Sequence, residues 1–94
     1  MNKNPRLANG FGQVSNTVLR DPSISIRDKA VYSVLATYTD SLTNAATVTI
    51  NVLASRCNVT PSTISRSLKS LEDLKIIYRL QMGKGAIAKT ILLK

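Results

Sequence analysis

Residues 53–68 read Leu-Ala-Ser-Arg-Cys-Asn-Val-Thr-Pro-Ser-Thr-Ile-Ser-Arg-Ser-Leu, and the fold of the 94-residue chain turns on this stretch. It reads as the end of one short helix, a tight turn and the start of another. Upstream, Thr49 is placed to cap the first helix, because its hydroxyl can accept a hydrogen bond from an amide that the first turn leaves unpaired. Ile50, Leu53, Ala54 and Cys57 then recur at three- and four-residue intervals, which makes one apolar helical face. Ala54 is small, as a close crossing of two helices requires. Asn58 follows the last periodic residue, where a tight turn needs a left-handed backbone that glycine adopts freely and asparagine tolerates. Val59 is placed to plug the angle between the two helices.

The second helix starts on Thr60 as N-cap, with Pro61 at its first position, where the missing amide would have had no partner. The spacing predicts a helix over 60–74. Ile64, Leu68 and Leu71 fall on its inner face. Ser62, Ser65, Arg66 and Lys69 fall on the outer one, short hydroxyls first and long cations after them. Short hydroxyls can approach base edges or phosphates, an arginine can bind a guanine or a phosphate through two parallel hydrogen bonds, and a helix N-terminus attracts phosphate. Thr60, Pro61, Ser62, Thr63, Ser65, Arg66 and Lys69 are therefore the candidate contacts on this helix. The alternative is an ordinary helical hairpin in a globular domain.

The stretch resembles the helix-turn-helix of bacterial DNA-binding domains, with their pattern of Leu-Ala, a turn Gly-Val-Ser/Thr, then Ser/Thr-x-Thr-Val/Ile-Ser-Arg-x-Leu. Asn58 stands where that pattern usually has glycine, a mild departure because asparagine accepts the same backbone. Beyond it the period changes. Ile76 to Gln81 are rich in branched and aromatic residues and read as a strand, Met82-Gly83-Lys84-Gly85 as a turn, and residues 86–93 as a returning strand. A basic-tipped hairpin directly after the second helix is the arrangement of a winged helix-turn-helix. The expected fold is thus α+β and mainly helical, with three core helices and a C-terminal β-hairpin wing. The resemblance implies that the wing reaches the minor groove or the backbone, with Lys84 as its main contact and Arg79 and Lys89 flanking it. Solubilising lysines on a plain hairpin are the alternative.

Toward the N-terminus, Ser25 and Asp28 have capping-box spacing, and Ile26, Ala30, Val31, Val34, Leu35 and Tyr38 form a stripe that predicts a helix ending near Asp40. Residues 40–46 read as a polar connection, and Val48 as the start of a very short strand that pairs with the wing. The segment from Gly10 to Val14, then Ser15 to Pro22 with Leu-Arg-Asp-Pro, resembles the entry segment of winged-helix domains in plasmid and phage replication initiators and related mobile-element proteins. That likeness runs from about Phe11 to about Ile77. Phe11, Val14, Val18 and Leu19 are expected to pack the core. Residues 1–9 read as a flexible arm, in which Lys3 and Arg6 can either lie along a duplex or simply be solvated, and residues 10–94 as the winged domain.

Composition narrows the function. The apolar fraction of 44% suits a globular domain, no apolar run approaches the ~20 residues that span a bilayer, and the N-terminus lacks the apolar core of a secretion signal. The expected location is the cytoplasm. Cys57 stands alone and reads as a small buried apolar residue. The chain has no histidine, which removes the commonest general base and metal ligand, and one cysteine with five scattered acids makes no zinc site of ordinary composition. Gly83-Lys84-Gly85 is followed by no helix and so is no nucleotide cradle. No catalytic activity, cofactor, metal or small-molecule ligand is expected. Asp21, Asp28 and Asp40 read as helix-end caps.

The charge is lopsided. Residues 1–55 carry five basic and three acidic side chains, a net of +2, and residues 56–94 carry eight and two, a net of +6, which together give the total of +8. An anionic polymer is the economical partner. Phe11, Tyr32, Tyr38 and Tyr78 are the only aromatic residues, too few for the stacking platforms that single strands use, so duplex DNA is favoured over RNA or single-stranded DNA. One recognition helix reads only a few base pairs, so a homodimer or a cooperative array on DNA is expected, with Leu7, Phe11, Leu42 and Leu93 as candidate pairing residues. A winged-helix docking module for an acidic protein is the alternative function, since fold alone does not fix function. If five to eight of the cations meet phosphates, the log of the duplex affinity falls against log salt with a slope of roughly −4.5 to −7, measurable by fluorescence anisotropy; a flat response contradicts this reading.

Overall fold

The computed structural model describes residues 14–40, 42–80 and 89–93. Among them the chain forms α1 (Asn16–Leu19), α2 (Ile26–Ala36), β1 (Thr39–Asp40), β2 (Ala45–Thr47), α3 (Ile50–Cys57), α4 (Pro61–Asp73), β3 (Ile77–Leu80) and β4 (Lys89–Leu92). The architecture is the expected α+β winged helix, in which α2, α3 and α4 pack together and the sheet lies along α4. The arm over residues 1–9, together with Phe11 and Lys84, lies outside the described residues.

Each of these four described helices begins on a hydroxyl cap. Ser15, Ser25, Thr49 and Thr60 hold extended backbones, and their side chains accept from the amides of Val18, Asp28, Val52 and Thr63. In the capping box of α2 the Asp28 carboxylate is buried and accepts from Nε of Arg27 at 3.3 Å. Helix α2 stops at Ala36, one turn short of the predicted end. Thr37 Oγ1 donates to the carbonyl of Val34 and Thr39 Oγ1 to that of Leu35, and Thr39 is already in β1.

The sheet is antiparallel throughout, in the order β1-β2-β4-β3. It is larger than a hairpin. Residues 40–46, predicted as a polar connection, include the end of β1 and the start of β2. Asp40 accepts from the Leu42 amide, and Asn44 takes a left-handed backbone (φ 56°) whose amide donates to the Asp40 carbonyl. The strand predicted to start at Val48 is Ala45–Thr47, and Val48 is a buried residue just after it. The registers Ala45↔Ile91, Ala46↔Thr90 and Thr47↔Lys89 join this strand to β4, and Ile77↔Leu92 through Leu80↔Lys89 complete the wing.

One core joins the helices to the sheet. Val18, Ile24, Val31, Tyr32, Leu35, Ala46, Val48, Leu53, Ala54, Ile64, Leu68, Leu71, Ile76 and Ile77 form it, with Val14 and Leu19 packed at its rim. Burying each large aliphatic side chain here contributes about 1.5–3 kcal/mol. The apolar stripe of α2 differs from the predicted one. Ala30 and Ile26 face solvent and Tyr38 is half-buried, whereas Tyr32 is only 1% exposed and its hydroxyl accepts from the Ser15 amide at 3.1 Å. That bond ties the entry segment to α2. Thr17, Val18, Asp21 and Ile24 line a small cleft with Leu74 and Ile76, where α1 meets the far end of α4. Cys57 is half-buried, and burial pushes its thiol pKa up, away from the thiolate that reactivity needs.

The inner face of α4 also carries Ser67, fully buried among Ile64, Leu68 and Leu71, and its hydroxyl has no hydrogen-bond partner among the described residues. An unpaired buried hydroxyl costs about 1–3 kcal/mol. Ser67→Ala is therefore expected to raise stability by about 1 kcal/mol, whereas its neighbour Leu68→Ala lowers it by about 2–5 kcal/mol by opening a cavity. Urea denaturation of the two variants checks the opposite signs.

Candidate nucleic-acid interface

The geometry of the site starts at Asn58. Its backbone is left-handed (φ 57°, ψ 46°), its amide donates to the Ser55 carbonyl at 3.3 Å, and the next amide, of Val59, donates to Ala54 at 3.0 Å. Two carbonyls left open at the end of α3 are thereby satisfied within a single reversal of the chain. Buried Leu53 and Ala54 face α4, and the chain re-enters a helix at Thr60. Val59 does not fill the angle between the helices as expected: it is 39% exposed. Ala54, Ile64 and Leu68 of the two helices are buried in the core.

At the start of α4, Thr60 Oγ1 accepts from the Thr63 amide at 3.3 Å and lies 3.0 Å from Thr63 Oγ1. Both hydroxyls are thus occupied in holding the first turn. Pro61, Ser62, Ser65, Arg66 and Lys69 are all exposed, and Thr63 is half-buried. The inner positions Ile64, Ser67, Leu68 and Leu71 are all buried, so the helix separates cleanly into a core face and a polar face. Arg66 makes no ion pair or side-chain hydrogen bond among the described residues. Lys69 lies 3.8 Å from Asp73, one turn on, with both side chains well exposed. Such an i,i+4 surface pair contributes little and is screened by salt, so Lys69 is readily turned toward another anion.

The wing residues divide. Lys89 is exposed on β4, in register with Leu80 and Thr47. Arg79 is only half-exposed, and its Nη2 donates to Oε1 of Glu72, near the end of α4, at 3.1 Å. That pairing spans seven residues from helix to strand, and no sequence period signals it. Arg56 also has a partner that spacing did not reveal: its Nε donates to the hydroxyl of Tyr38 at 3.1 Å. Among the described tyrosines only Tyr78 is exposed, at 50%, so no stacking platform forms there. Among these residues no cluster of His, Cys, Asp and Glu is arranged to hold a metal ion, and no helix is long and apolar enough to cross a membrane.

The helix-turn-helix domain family matches residues 24–77, more than half of the chain. The chain belongs to that family. The match spans α2 to the first residue of β3 and so covers the turn at Asn58 and the whole of α4. It leaves α1 and most of the wing outside. No curated protein matches the chain. The second helix of the helix-turn-helix is α4, which carries the exposed row just described. The turn that aims it depends on one residue. Asn58→Ala places a Cβ-bearing residue without a local polar side chain in the left-handed region and is expected to cost about 1–2 kcal/mol, whereas Asn58→Gly keeps the domain at least as stable. Thermal melting of both variants checks this.

Proposed function

We propose that this domain binds double-stranded DNA sequence-specifically, with α4 in the major groove and the wing at the minor groove or the backbone. The observation that supports this most is the exposed row Ser62, Ser65, Arg66 and Lys69 on a helix whose opposite face is entirely buried. Ser62 and Ser65 lie in the first turns, where a recognition helix approaches base edges most closely. Arg66, without an ion pair or side-chain hydrogen bond among the described residues, is the candidate for bidentate readout of a guanine. Pro61, Thr60 and Thr63 shape the N-terminus that faces a phosphate, and Lys69, Lys84 and Lys89 meet the backbone.

The role we infer is that of a small mobile-element or phage protein: a transcriptional regulator or an accessory factor in replication, transfer or partition. It is supported by the likeness of residues 11–25 to the entry segments of such winged-helix proteins. Binding as a homodimer or as a cooperative array follows from the short reach of one recognition helix. Leu42 and Leu93, at 92% and 53% exposure, are apolar residues left on the surface for such pairing.

Selection of bound duplexes from a random pool yields the operator. Arg66→Ala is then expected to weaken the selected site by about 1–3 kcal/mol and to relax preference at one base pair. Equal losses on selected and random duplexes would reduce Arg66 to a phosphate contact. No binding of any duplex in low salt would instead favour a protein-docking module.

A further inference from the structure

We propose that Glu72 and Arg79 form a strut that holds the wing strands at a fixed distance from α4, so that an acidic residue strengthens binding to a polyanion. The proposal rests on the duplex-binding reading and makes Arg79 a positioning residue rather than a contact with DNA. The pair joins two elements that DNA would touch separately. Glu72 lies in the last turn of α4 and Arg79 within β3, with Arg79 Nη2 3.1 Å from Glu72 Oε1 and side chains 35% exposed for Glu72 and 28% for Arg79. Partial burial on both sides reduces screening, and the planar guanidinium fixes direction as well as distance.

The turn between them is itself tightly held. Lys75 adopts a left-handed backbone (φ 62°), its amide donates to Glu72 and the Ile76 amide to Leu71, both at 3.0 Å. Helix, turn and strand thus close into a ring, with the ion pair as its outer link. In the sheet Arg79 faces Thr90, the neighbour of Lys89, and Leu80 faces Lys89 itself. A shift of β3 relative to α4 is therefore a shift of Lys89 relative to Arg66 and Lys69. The other acid of this turn, Asp73, pairs among the described residues with Lys69 of its own helix.

Simple electrostatics and the strut give opposite signs for Glu72→Gln. Removing a negative charge near a polyanion site strengthens binding if charge alone matters. If the strut operates, the variant binds duplex about two- to fivefold more weakly, the range that a partly exposed ion pair can transmit. The test is a double-mutant cycle by fluorescence anisotropy on the full chain, using a random duplex in low salt, with melting curves to confirm that each variant is folded at the assay temperature. The expected result is a loss in Glu72→Gln that largely vanishes in a Lys89→Ala background, because the strut acts through Lys89. The exchange Glu72→Arg with Arg79→Glu, which keeps the net charge, is expected to restore wild-type affinity to within about twofold. Equal or tighter binding by Glu72→Gln, or a loss that adds in full to that of Lys89→Ala, overturns the strut while leaving duplex binding intact. Absence of duplex binding by the wild-type chain overturns both.

Discussion

The left-handed backbone at Asn58 governs the rest of the molecule. With the amides of Asn58 and Val59 both donating back to α3, it reverses the chain in one residue and sets the angle at which α4 leaves α3. That angle brings Ile64, Leu68 and Leu71 onto the core built by α2 and α3, and so forces Ser62, Ser65, Arg66 and Lys69 outward. The polar row is a consequence of packing: once the inner side of α4 is committed, a 3.6-residue period leaves those positions nowhere else to go. The small side chain of Ala54 permits the close approach that the angle demands.

A second constraint sits at the other end of α4. Lys75 repeats the Asn58 solution, with amides returning to Glu72 and Leu71, and delivers the chain into β3 with Ile76 and Ile77 buried. The same helix is therefore fixed at both ends by left-handed turns, one orienting it against α3 and one orienting the sheet against it. The connection from α4 to β3 is short, hydrogen-bonded and bridged by a helix-to-strand ion pair.

Much of this was legible in the chain because local chemistry specifies it. Thr49, Thr60 and Pro61 mark helix starts, Asn58 marks the turn, and the Ile64-Leu68-Leu71 spacing marks the buried face; all follow from contacts within four residues. What escaped the sequence depends on distant partners. Tyr32 falls outside the predicted stripe of α2, yet its ring packs in the core and an amide 17 residues away donates to its hydroxyl. Strands of two and three residues are too short to display a period, so β1 reads as part of a polar connection and β2 is expected a few residues too late, at Val48. Lysine carries no turn signal, so the left-handed Lys75 was invisible. The buried Ser67 hydroxyl gave no warning because serine ordinarily marks a polar face. Arg79 read as a free cation because its partner is on another element.

The central claim is that the outward row of α4 is the surface that meets duplex DNA. Two-dimensional NMR of the isotopically labelled chain during titration with a random duplex in low salt tests it most directly. The account predicts the largest amide shifts between Ser62 and Lys69, with a smaller set at Lys89 and little change at Val31, Leu35 or Leu53. Shifts centred on Tyr78 and Leu93, or none at saturating duplex, would contradict it.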